Sequence, residues 1–497
     1  DPLPTALLKS CLDVLLTPIT QAINLSLSSG KVPSSFKEAK IIPLIKKVSL
    51  NPAILSNYRP VSNLPFLSKV LERVVLHQLF AYFTENDLYE KMQSAYRKHH
   101  STETALVRVQ NDLAEALSQK KACMLVLLDL SSAFDTVNHG KLLETMELEF
   151  GLKGVALQWL QSYLSNRYQT VSIGSHSSDA EPMLSGVPQG SVLGPVLFTA
   201  YTASLARLLE SYSMNCHFYA DDTSLYVSFE PSGMETAFDQ MECCITAVRN
   251  WMSAKELKMN DSKTDFIIIA SKFVFKRNSF DNVLTIGDSE LTPKDVVKSL
   301  GVFLDKNLSM EDHVIQTCRT AYYHLCNIGK IRKFLTSASC ELLIHALITS
   351  KIDYCNALLC KLPKRLLNKL QHVQNCAARI LTFTKRNEHI TPILKQLHWL
   401  PVSFRIRFKI SLLVFKCLNG LAPSYLQELL TPHVVVRTLR SANQILLDVP
   451  SSDAQRSFSV CGPEFWNILP DSVRSCTSLN VFKTKLKTHL FTECYLF

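Results

Sequence analysis

One run of residues restricts the fold more than any other. The sequence MLVLLDL, residues 124–130, is apolar at every position except Asp129. A strand that is apolar throughout buries both of its faces, whereas an alternating strand buries only one. The run therefore predicts a central strand in a sheet that other elements cover on both sides. It also places the carboxylate of Asp129 at the end of a buried strand.

A second acidic feature lies in FYADDTSLY, where two strand-like runs flank Asp221 and Asp222. This pattern is typical of a β-hairpin with the two aspartates at its tip. An Asp at a strand end is usually a cap, and an Asp-Asp turn is common, so neither feature is specific alone. Strand ends of one sheet can converge, and clustered carboxylates repel unless a cation neutralises them. Hard carboxylate oxygens suit Mg²⁺, and two such ions can drive a phosphoryl displacement.

The rest of the chain reads as a mixture of helices and strands, which predicts an α+β fold. The prolines of NYRPVSNLP, residues 57–65, favour a loop, and Pro18 is expected to kink or split the first helix. Ser101 or Thr102 can cap a helix that runs to residue 117. From about 310 to 430 nearly every segment has helical periodicity. Other helices are predicted at 67–83, 139–164 and 234–257, and strands at 39–47, 169–174, 265–270, 283–287 and 299–305.

Charge and cysteine content narrow the class of protein. The net charge is +10, and residues 351–497 hold 20 Lys and Arg against 8 Asp and Glu. A basic C-terminal third fits a protein that binds a phosphate backbone, although a solvated basic face explains the charge equally well. The fifteen cysteines are scattered through apolar runs, which indicates an intracellular, reduced protein. No segment is apolar enough to predict a membrane span.

One cysteine spacing permits a zinc site as an alternative to buried structural cysteines. Cys355 and Cys360 are followed by His372 and Cys376. These residues lie in stretches of helical periodicity with little turn sequence between them. Buried cysteine is therefore the preferred interpretation.

Five motifs follow one another in a fixed order: LLDLSSAFDTVNH, SGVPQGSVLGPVLF, FYADDTSLY, NDSKT and SLGVFLD. Together they resemble the reverse transcriptases of LINE-type, non-LTR retrotransposons, most of all the jockey and chicken-repeat branch. The resemblance is specific from about residue 36 to 305 and looser beyond. It implies an RNA-directed DNA polymerase with a right-hand fold of fingers, antiparallel-sheet palm and helical thumb. It also implies an RNA template, a DNA primer, dNTPs and two Mg²⁺ ions, for which Mn²⁺ can substitute.

The resemblance assigns catalytic roles to four residues. Asp129, Asp221 and Asp222 match the metal ligands of the family. Lys263 matches a lysine that protonates the pyrophosphate leaving group, although a loop lysine is as often merely solvated.

Five residues match positions that bind the nucleotide. Phe134 corresponds to the steric gate, whose ring leaves no room for a ribose 2′-hydroxyl; by spacing alone it would be an ordinary core aromatic. The others are the backbone of Leu130, the triphosphate contact Arg59, and the PQG turn residues Gln189 and Gly190.

Five further residues match positions along primer and template. Arg97 and Lys98 are expected to follow the template backbone, or to be merely solvated. Tyr219 and Ala220 precede the metal pair on the primer side, and the structural alternative for Tyr219 is packing within the palm. Gly301 resembles the primer-grip hairpin, and its structural alternative is a β-bulge.

The family pattern divides the chain into five regions: an N-terminal helical extension (1–35), fingers (36–120), palm (121–305), a helical thumb (306–430) and a basic helical C-terminal region that includes 431–497. Because the sequence begins at Asp1, we expect a fragment of a longer protein, without the endonuclease that precedes the polymerase in the family. The family location would be nucleus and cytoplasm.

Three alternatives remain open on the sequence. A degenerate element copy would bind RNA without catalysis. A viral-type RNA polymerase would need a second polar residue to accept the 2′-hydroxyl, and Asp135 lies six residues beyond Asp129. The C-terminal helices could also form a separate protein-interaction module.

Overall fold

The computed structural model describes residues 4–131, 133–280, 282–287, 289–433 and 445–496. Its strands are β1 (Glu38–Ile45), β2 (Tyr58–Asn63), β3 (Ala122–Leu128), β4 (Tyr168–Ile173), β5 (His176–Ser177), β6 (Glu181–Pro182), β7 (Asn215–Tyr219), β8 (Asp222–Phe229), β9 (Asp265–Ile269), β10 (Leu284–Ile286), β11 (Ser289–Leu291), β12 (Val296–Ser299) and β13 (Val302–Asp305).

The α-helices are α1 (Thr5–Ser10), α2 (Leu12–Ser29), α3 (Phe66–Glu85), α4 (Thr102–Ser118), α5 (His139–Leu148), α6 (Gly154–Leu164), α7 (Gly194–Tyr201), α8 (Ser204–Ser211), α9 (Met234–Ala254), α10 (Lys272–Arg277), α11 (Glu311–Ile331), α12 (Ser337–Ile344), α13 (Ser350–Ile352), α14 (Lys364–Thr382), α15 (Thr391–Gln396), α16 (Val402–Leu418), α17 (Ser424–Gln427), α18 (Phe458–Asn467), α19 (Asp471–Arg474) and α20 (Leu479–Tyr495). The mixture of helices with largely antiparallel sheets confirms the predicted α+β class.

The chain forms two compact units, each made of three chain segments. The first unit contains residues 1–96, 128–213 and 243–263, and the second contains 97–127, 214–242 and 264–497. The five linear regions drawn from the family pattern stay a prediction.

The central sheet of the second unit has the strand order β7-β8-β3-β9. β3 pairs with β9 antiparallel, and β7 and β8 form the predicted antiparallel hairpin. Residues 122–126 of β3 are at most 2% exposed, as the apolar run predicted for a central strand. Helix α4 packs against β7 and begins at a capping box, in which Ser101 and Thr104 satisfy each other's backbone N–H groups.

The prediction of one strand over SLGVFLD was wrong. Ser299 ends β12 and Val302 begins β13, and these two residues face each other in an antiparallel hairpin. Leu300 and Gly301 form the two-residue turn, both with positive φ (45° and 84°). Two-residue turns of this kind match the twist of a hairpin and favour Gly. Gly301 is thus a turn residue rather than a bulge inside a strand.

The sheet of the first unit has the order β2-β1-β4-β5, with β6 paired to β4. The predicted loop in NYRPVSNLP was wrong, because residues 58–63 form strand β2, antiparallel to β1. β2 lies at the edge of the sheet, where a proline that lacks an N–H group is tolerated. Pro60 faces Pro43 in the register.

Helix boundaries differ from the predictions at two places. Pro18 lies inside α2, and the chain breaks at Cys11 instead. The predicted helix 139–164 is two helices, α5 and α6; Gly151, between them, and Gly154, the first residue of α6, both have positive φ. The helical character predicted after residue 310 is confirmed by α11 to α17.

Candidate active site

Asp129 follows directly after β3, and the predicted proton donor lies beside it. Lys263 Nζ is 3.2 Å from Asp129 Oδ2, and the Asn260 side-chain amide donates to the same oxygen at 3.3 Å. The backbone N–H of Asn260 donates to the Asp129 carbonyl at 2.8 Å, and Leu130 forms an antiparallel bridge with Met259. Asn260 was not predicted as a site residue, although it is the first residue of the NDSKT motif that contains Lys263.

The Lys263–Asp129 ion pair has little structural value. The two side chains are 63% and 31% exposed, and exposed pairs of this kind contribute about 0–1 kcal/mol. A bound ligand can therefore replace either Lys263 or Asp129 in this ion pair at small cost to the stability of the fold.

Asp221 and Asp222 lie at the tip of the β7–β8 hairpin. Tyr219 and Asp222 are the last facing pair of the ladder, so Ala220 and Asp221 form the turn. Ala220 has φ +60°, which a small side chain tolerates better than a branched one. Asp222 is exposed and Asp221 is half-buried. The hairpin thus presents two adjacent carboxylates on a tight turn.

Phe134 lies on a rigid aromatic base. Its ring stacks on Phe198 of α7, with centroids 4.7 Å apart, and Phe198 is fully buried. Phe134 itself is half-buried. Its carbonyl accepts a hydrogen bond of 2.8 Å from the N–H of Val187. The ring is held by these contacts yet keeps part of its surface free, and its role as a steric gate stays a prediction.

The PQG turn is fastened to strand β2 and to the segment after Phe134. The Ser62 N–H donates to the Gln189 carbonyl at 2.7 Å, and Gln189 Nε2 lies 2.9 Å from both carboxylate oxygens of Asp135. Gly190 has φ +118°, and a Cβ there would stand 2.7 Å from the Ser62 carbonyl oxygen. Glycine is required here by conformation and by space.

Glu72 of α3 supports the residues that follow this turn. Its side chain is 1% exposed, and Oε2 accepts hydrogen bonds from the N–H groups of Val192 (2.6 Å) and Leu193 (3.0 Å). Ser68 contacts Oε1 at 3.3 Å. One signal in the sequence was overlooked, the carboxylate of Glu72 within the otherwise largely apolar helix sequence VLERVV.

The candidate nucleic-acid residues occupy surface positions. Arg59 of β2 is exposed, opposite Leu44 in the register. In the second unit, Arg97 is half-buried and Lys98 exposed, on the segment that leads into α4. Their predicted roles stay predictions.

Tyr354 holds the turn that contains Gly301. Its hydroxyl donates to the Leu300 carbonyl at 2.6 Å and lies 3.2 Å from the Thr102 hydroxyl oxygen. A Cβ on Gly301 would stand 3.2 Å from the Tyr354 ring. Burial raises the pKa of Tyr354, and the nearby Tyr219 adds to the rise, so the hydroxyl stays a proton donor at neutral pH. Tyr354 was not predicted from the sequence.

The cysteines of the possible zinc site are buried or half-buried. Cys355 and Cys360 are buried, and Cys355 Sγ lies 3.9 Å from Thr102 Oγ1. Among the residues that the structure describes, no three His, Cys, Asp or Glu side chains gather closely enough to hold a metal ion. Metal binding by this chain therefore stays a proposal, which rests on the chemistry of its carboxylates.

Within the same described ranges, no helix is long and apolar enough to cross a membrane.

Comparison with known sequences identifies the family. The profile described as reverse transcriptase (RNA-dependent DNA polymerase) matches residues 45–304, more than half of the chain. The chain belongs to the reverse transcriptase family. The match includes Asp129, Asp221, Asp222 and Lys263, and it confirms the enzyme class that the motifs predicted.

Retrotransposon enzymes are among the similar proteins. The RNA-directed DNA polymerase from mobile element jockey of Drosophila melanogaster is 27% identical over 307 residues, which cover 61% of this chain and 32% of that protein. The probable RNA-directed DNA polymerase from transposon BS of the same species is 30% identical over 299 residues, covering 59% and 32%. The resemblance to non-LTR enzymes is thereby confirmed. The chain spans about a third of the length of these relatives.

Among solved structures, the apo telomerase of Candida tropicalis aligns with 79% of this chain and 67% of its own at 9% identity. The TM-score of this alignment is 0.41.

Proposed function

We propose that this chain is the RNA-directed DNA polymerase of a non-LTR retrotransposon. It would extend a DNA primer with dNTPs on an RNA template. The observation that carries the proposal is the pair at the end of β3, where an exposed ammonium group lies 3.2 Å from the carboxylate of Asp129. In the proposed reaction the primer 3′-hydroxyl attacks the α-phosphate of a dNTP and pyrophosphate leaves, so a metal ligand with a proton donor beside it suits this nucleotidyl transfer.

Two divalent ions, Mg²⁺ or Mn²⁺, fit the donor chemistry of Asp129, Asp221 and Asp222, which offer only hard carboxylate oxygens. When bound, such ions supply the positive charge for a two-metal displacement. Lys263 would deliver the proton that the pyrophosphate leaving group takes up. Its exposed, weak pairing with Asp129 allows the ammonium group to turn toward a bound triphosphate.

The nucleotide would lie against the first unit, between positions that the structure holds firmly. The ring of Phe134 on Phe198 would exclude a 2′-hydroxyl. At Gly190 the nucleotide or template would approach the backbone of the PQG turn closely. Arg59, exposed on β2, would contact the triphosphate. Tyr219, Ala220 and the turn at Gly301 would face the primer.

A primer-extension assay tests the activity. Purified chain, poly(rA)/oligo(dT), dTTP and Mg²⁺ should give extended primer. We expect D221A to lose at least about 100-fold in rate, because the charge stabilisation by metal is worth several kcal/mol. D239A is the matched control, since Asp239 is exposed on α9. Full activity in D221A would contradict the metal assignment.

The role of Lys263 is tested in the same assay. K263A should lose about 100-fold in rate, a typical contribution of a general acid. K258A, an exposed lysine on the same segment, should lose nothing. Absence of incorporation by well-folded wild-type chain, with RNA binding retained, would favour a degenerate copy that only binds RNA.

The nucleic-acid grip would use the basic helices of the second unit. Burial lowers the pKa of Lys416 on α16, and the like charges of Lys483 on α20 and Lys409 lower it further, whereas the carboxylate of Glu103, which pairs with Lys409 at 2.9 Å, raises it. A phosphate beside Lys416 would offset the repulsion from the neighbouring lysines. K416E should reduce the slope of log K for RNA binding against log salt concentration by about 0.7–0.9. K9E, at an exposed lysine of α1, should leave this slope unchanged. An unchanged slope would favour a protein-interaction module.

By the same family analogy, the protein would act inside the cell, in the nucleus and the cytoplasm. Its template would be the RNA of its own element and its primer a nicked DNA end. Cell fractionation with an antibody to the chain would test the location.

A further inference from the structure

We propose that Asp135 is a positioning residue, which fixes the side-chain amide of Gln189 so that the carbonyl oxygen faces the nucleotide. This inference rests on the proposed function and adds to it the chemical group that Gln189 presents. The two residues are 54 positions apart in the chain, and both belong to the first unit.

The chemistry of the pair decides the orientation of the amide. An ionised carboxylate can only accept hydrogen bonds, whereas a Gln amide has one donor end and one acceptor end. Gln189 Nε2 lies 2.9 Å from Asp135 Oδ1 and 2.9 Å from Oδ2. The NH₂ group is thereby occupied by Asp135, and Oε1 is the end left for another ligand. A hydrogen bond to a charged group is stronger than a neutral one, so the orientation is well fixed.

Backbone contacts hold the two segments on either side of this link. The N–H of Gly186 donates to the Val137 carbonyl at 2.7 Å, next to the 2.8 Å bond from Val187 to the Phe134 carbonyl. A Cβ on Gly186 would stand 2.7 Å from the Asp135 carbonyl oxygen, so the segments touch closely. Asp135 therefore couples the segment of the candidate steric gate to the PQG turn.

Gln189 and Asp135 line a cavity of about 360 Å³ in the first unit. Pro60 and Ser62 of β2 line it as well, one and three residues beyond Arg59. The cavity gives a ligand access to the pair.

The pairing also bears on the choice of sugar. An RNA polymerase needs a polar residue near this position to accept the ribose 2′-hydroxyl. In this chain the carboxylate of Asp135 accepts hydrogen bonds from the Gln189 amide instead. Loss of Asp135 would free the amide to rotate and offer its NH₂ group to the nucleotide. We therefore expect weaker binding of dNTPs and weaker rejection of rNTPs.

Steady-state incorporation of dTTP and UTP on poly(rA)/oligo(dT) with Mg²⁺ tests this. D135A should raise KM for dTTP about tenfold, the loss of one hydrogen bond to a charged group, with kcat changed less than about threefold. The preference for dTTP over UTP should fall by a similar factor. D135N keeps one acceptor oxygen and should lie between D135A and the wild type. D179N, at an exposed aspartate of the same unit, is the matched control.

A second measurement does not depend on polymerase activity. Thermal melting of D135A, Q189A and the double variant forms a cycle, and the two changes should be non-additive by about fivefold in the unfolding equilibrium constant. If the wild type fails to extend primers, the proposed function fails and this cycle still decides whether the link exists. Additive effects, or an unchanged KM for dTTP in an active D135A variant, would overturn the inference.

Discussion

Replacement of Glu72 should strongly destabilise the first unit. Its carboxylate is 1% exposed and accepts two backbone hydrogen bonds, from Val192 and Leu193. E72A leaves both N–H groups, at half-buried Val192 and buried Leu193, without their acceptor, at about 1–3 kcal/mol each, so the total is about 4 kcal/mol. At roughly 2–4 °C per kcal/mol for a domain of 150–250 residues, the melting temperature should fall by about 8–16 °C.

Thermal melting followed by circular dichroism measures the effect. E72Q keeps a carbonyl oxygen as an acceptor and should lose about half as much. The control is E85A, an exposed glutamate on the same helix α3, which should stay within about 0.5 kcal/mol of the wild type. Equal melting temperatures for E72A and the wild type, or for E72A and E72Q, would refute the role assigned to the carboxylate.

Three further outcomes are expected. G190A should abolish primer extension and lower the melting temperature, because φ is +118° and the Cβ would stand 2.7 Å from the Ser62 carbonyl oxygen; an active variant would contradict this. Burial lowers the pKa of His217 to about 3 from its ordinary 6.5, so as the pH falls below 6.5 the unfolded chain binds a proton first and stability is lost. H217F should reduce that loss of stability in acid. If H217F and the wild type unfold at the same pH midpoint, protonation of His217 is not the cause. Y354F removes the 2.6 Å hydrogen bond to Leu300 and should cost about 1 kcal/mol in stability; a unit as stable as the wild type would show that the bond has no net value.

Three elements were predicted from short runs of sequence. The run at 124–130 predicted β3 because a strand buried on both faces must be apolar throughout. The capping residue of α4 and the β7–β8 hairpin were predicted for a different reason, since both depend on contacts between residues a few positions apart.

Features that depend on sheet order could not be predicted locally. Pro60 argues against a strand unless the strand lies at an edge, and only the fold shows that β2 is an edge strand. Gly301 could belong to a bulge or a turn, and the pairing of Ser299 with Val302 decides between them.

The supporting roles of Glu72 and Asp135 were missed because their partners are distant in the chain. Glu72 binds N–H groups 120 and 121 residues away, and Asp135 binds a side chain 54 residues away. No periodicity connects such residues. The family motifs predicted which side chains face a ligand, whereas the structure shows which side chains hold them.

The most direct test of the central proposal is the sequence of the product. A heteropolymeric RNA with an annealed DNA primer, four dNTPs and Mg²⁺ should give a DNA strand complementary to the RNA, and D129N should give none. A well-folded wild-type chain that binds the primer–template but adds no nucleotide, or a D129N variant that makes the same product, would contradict the proposal.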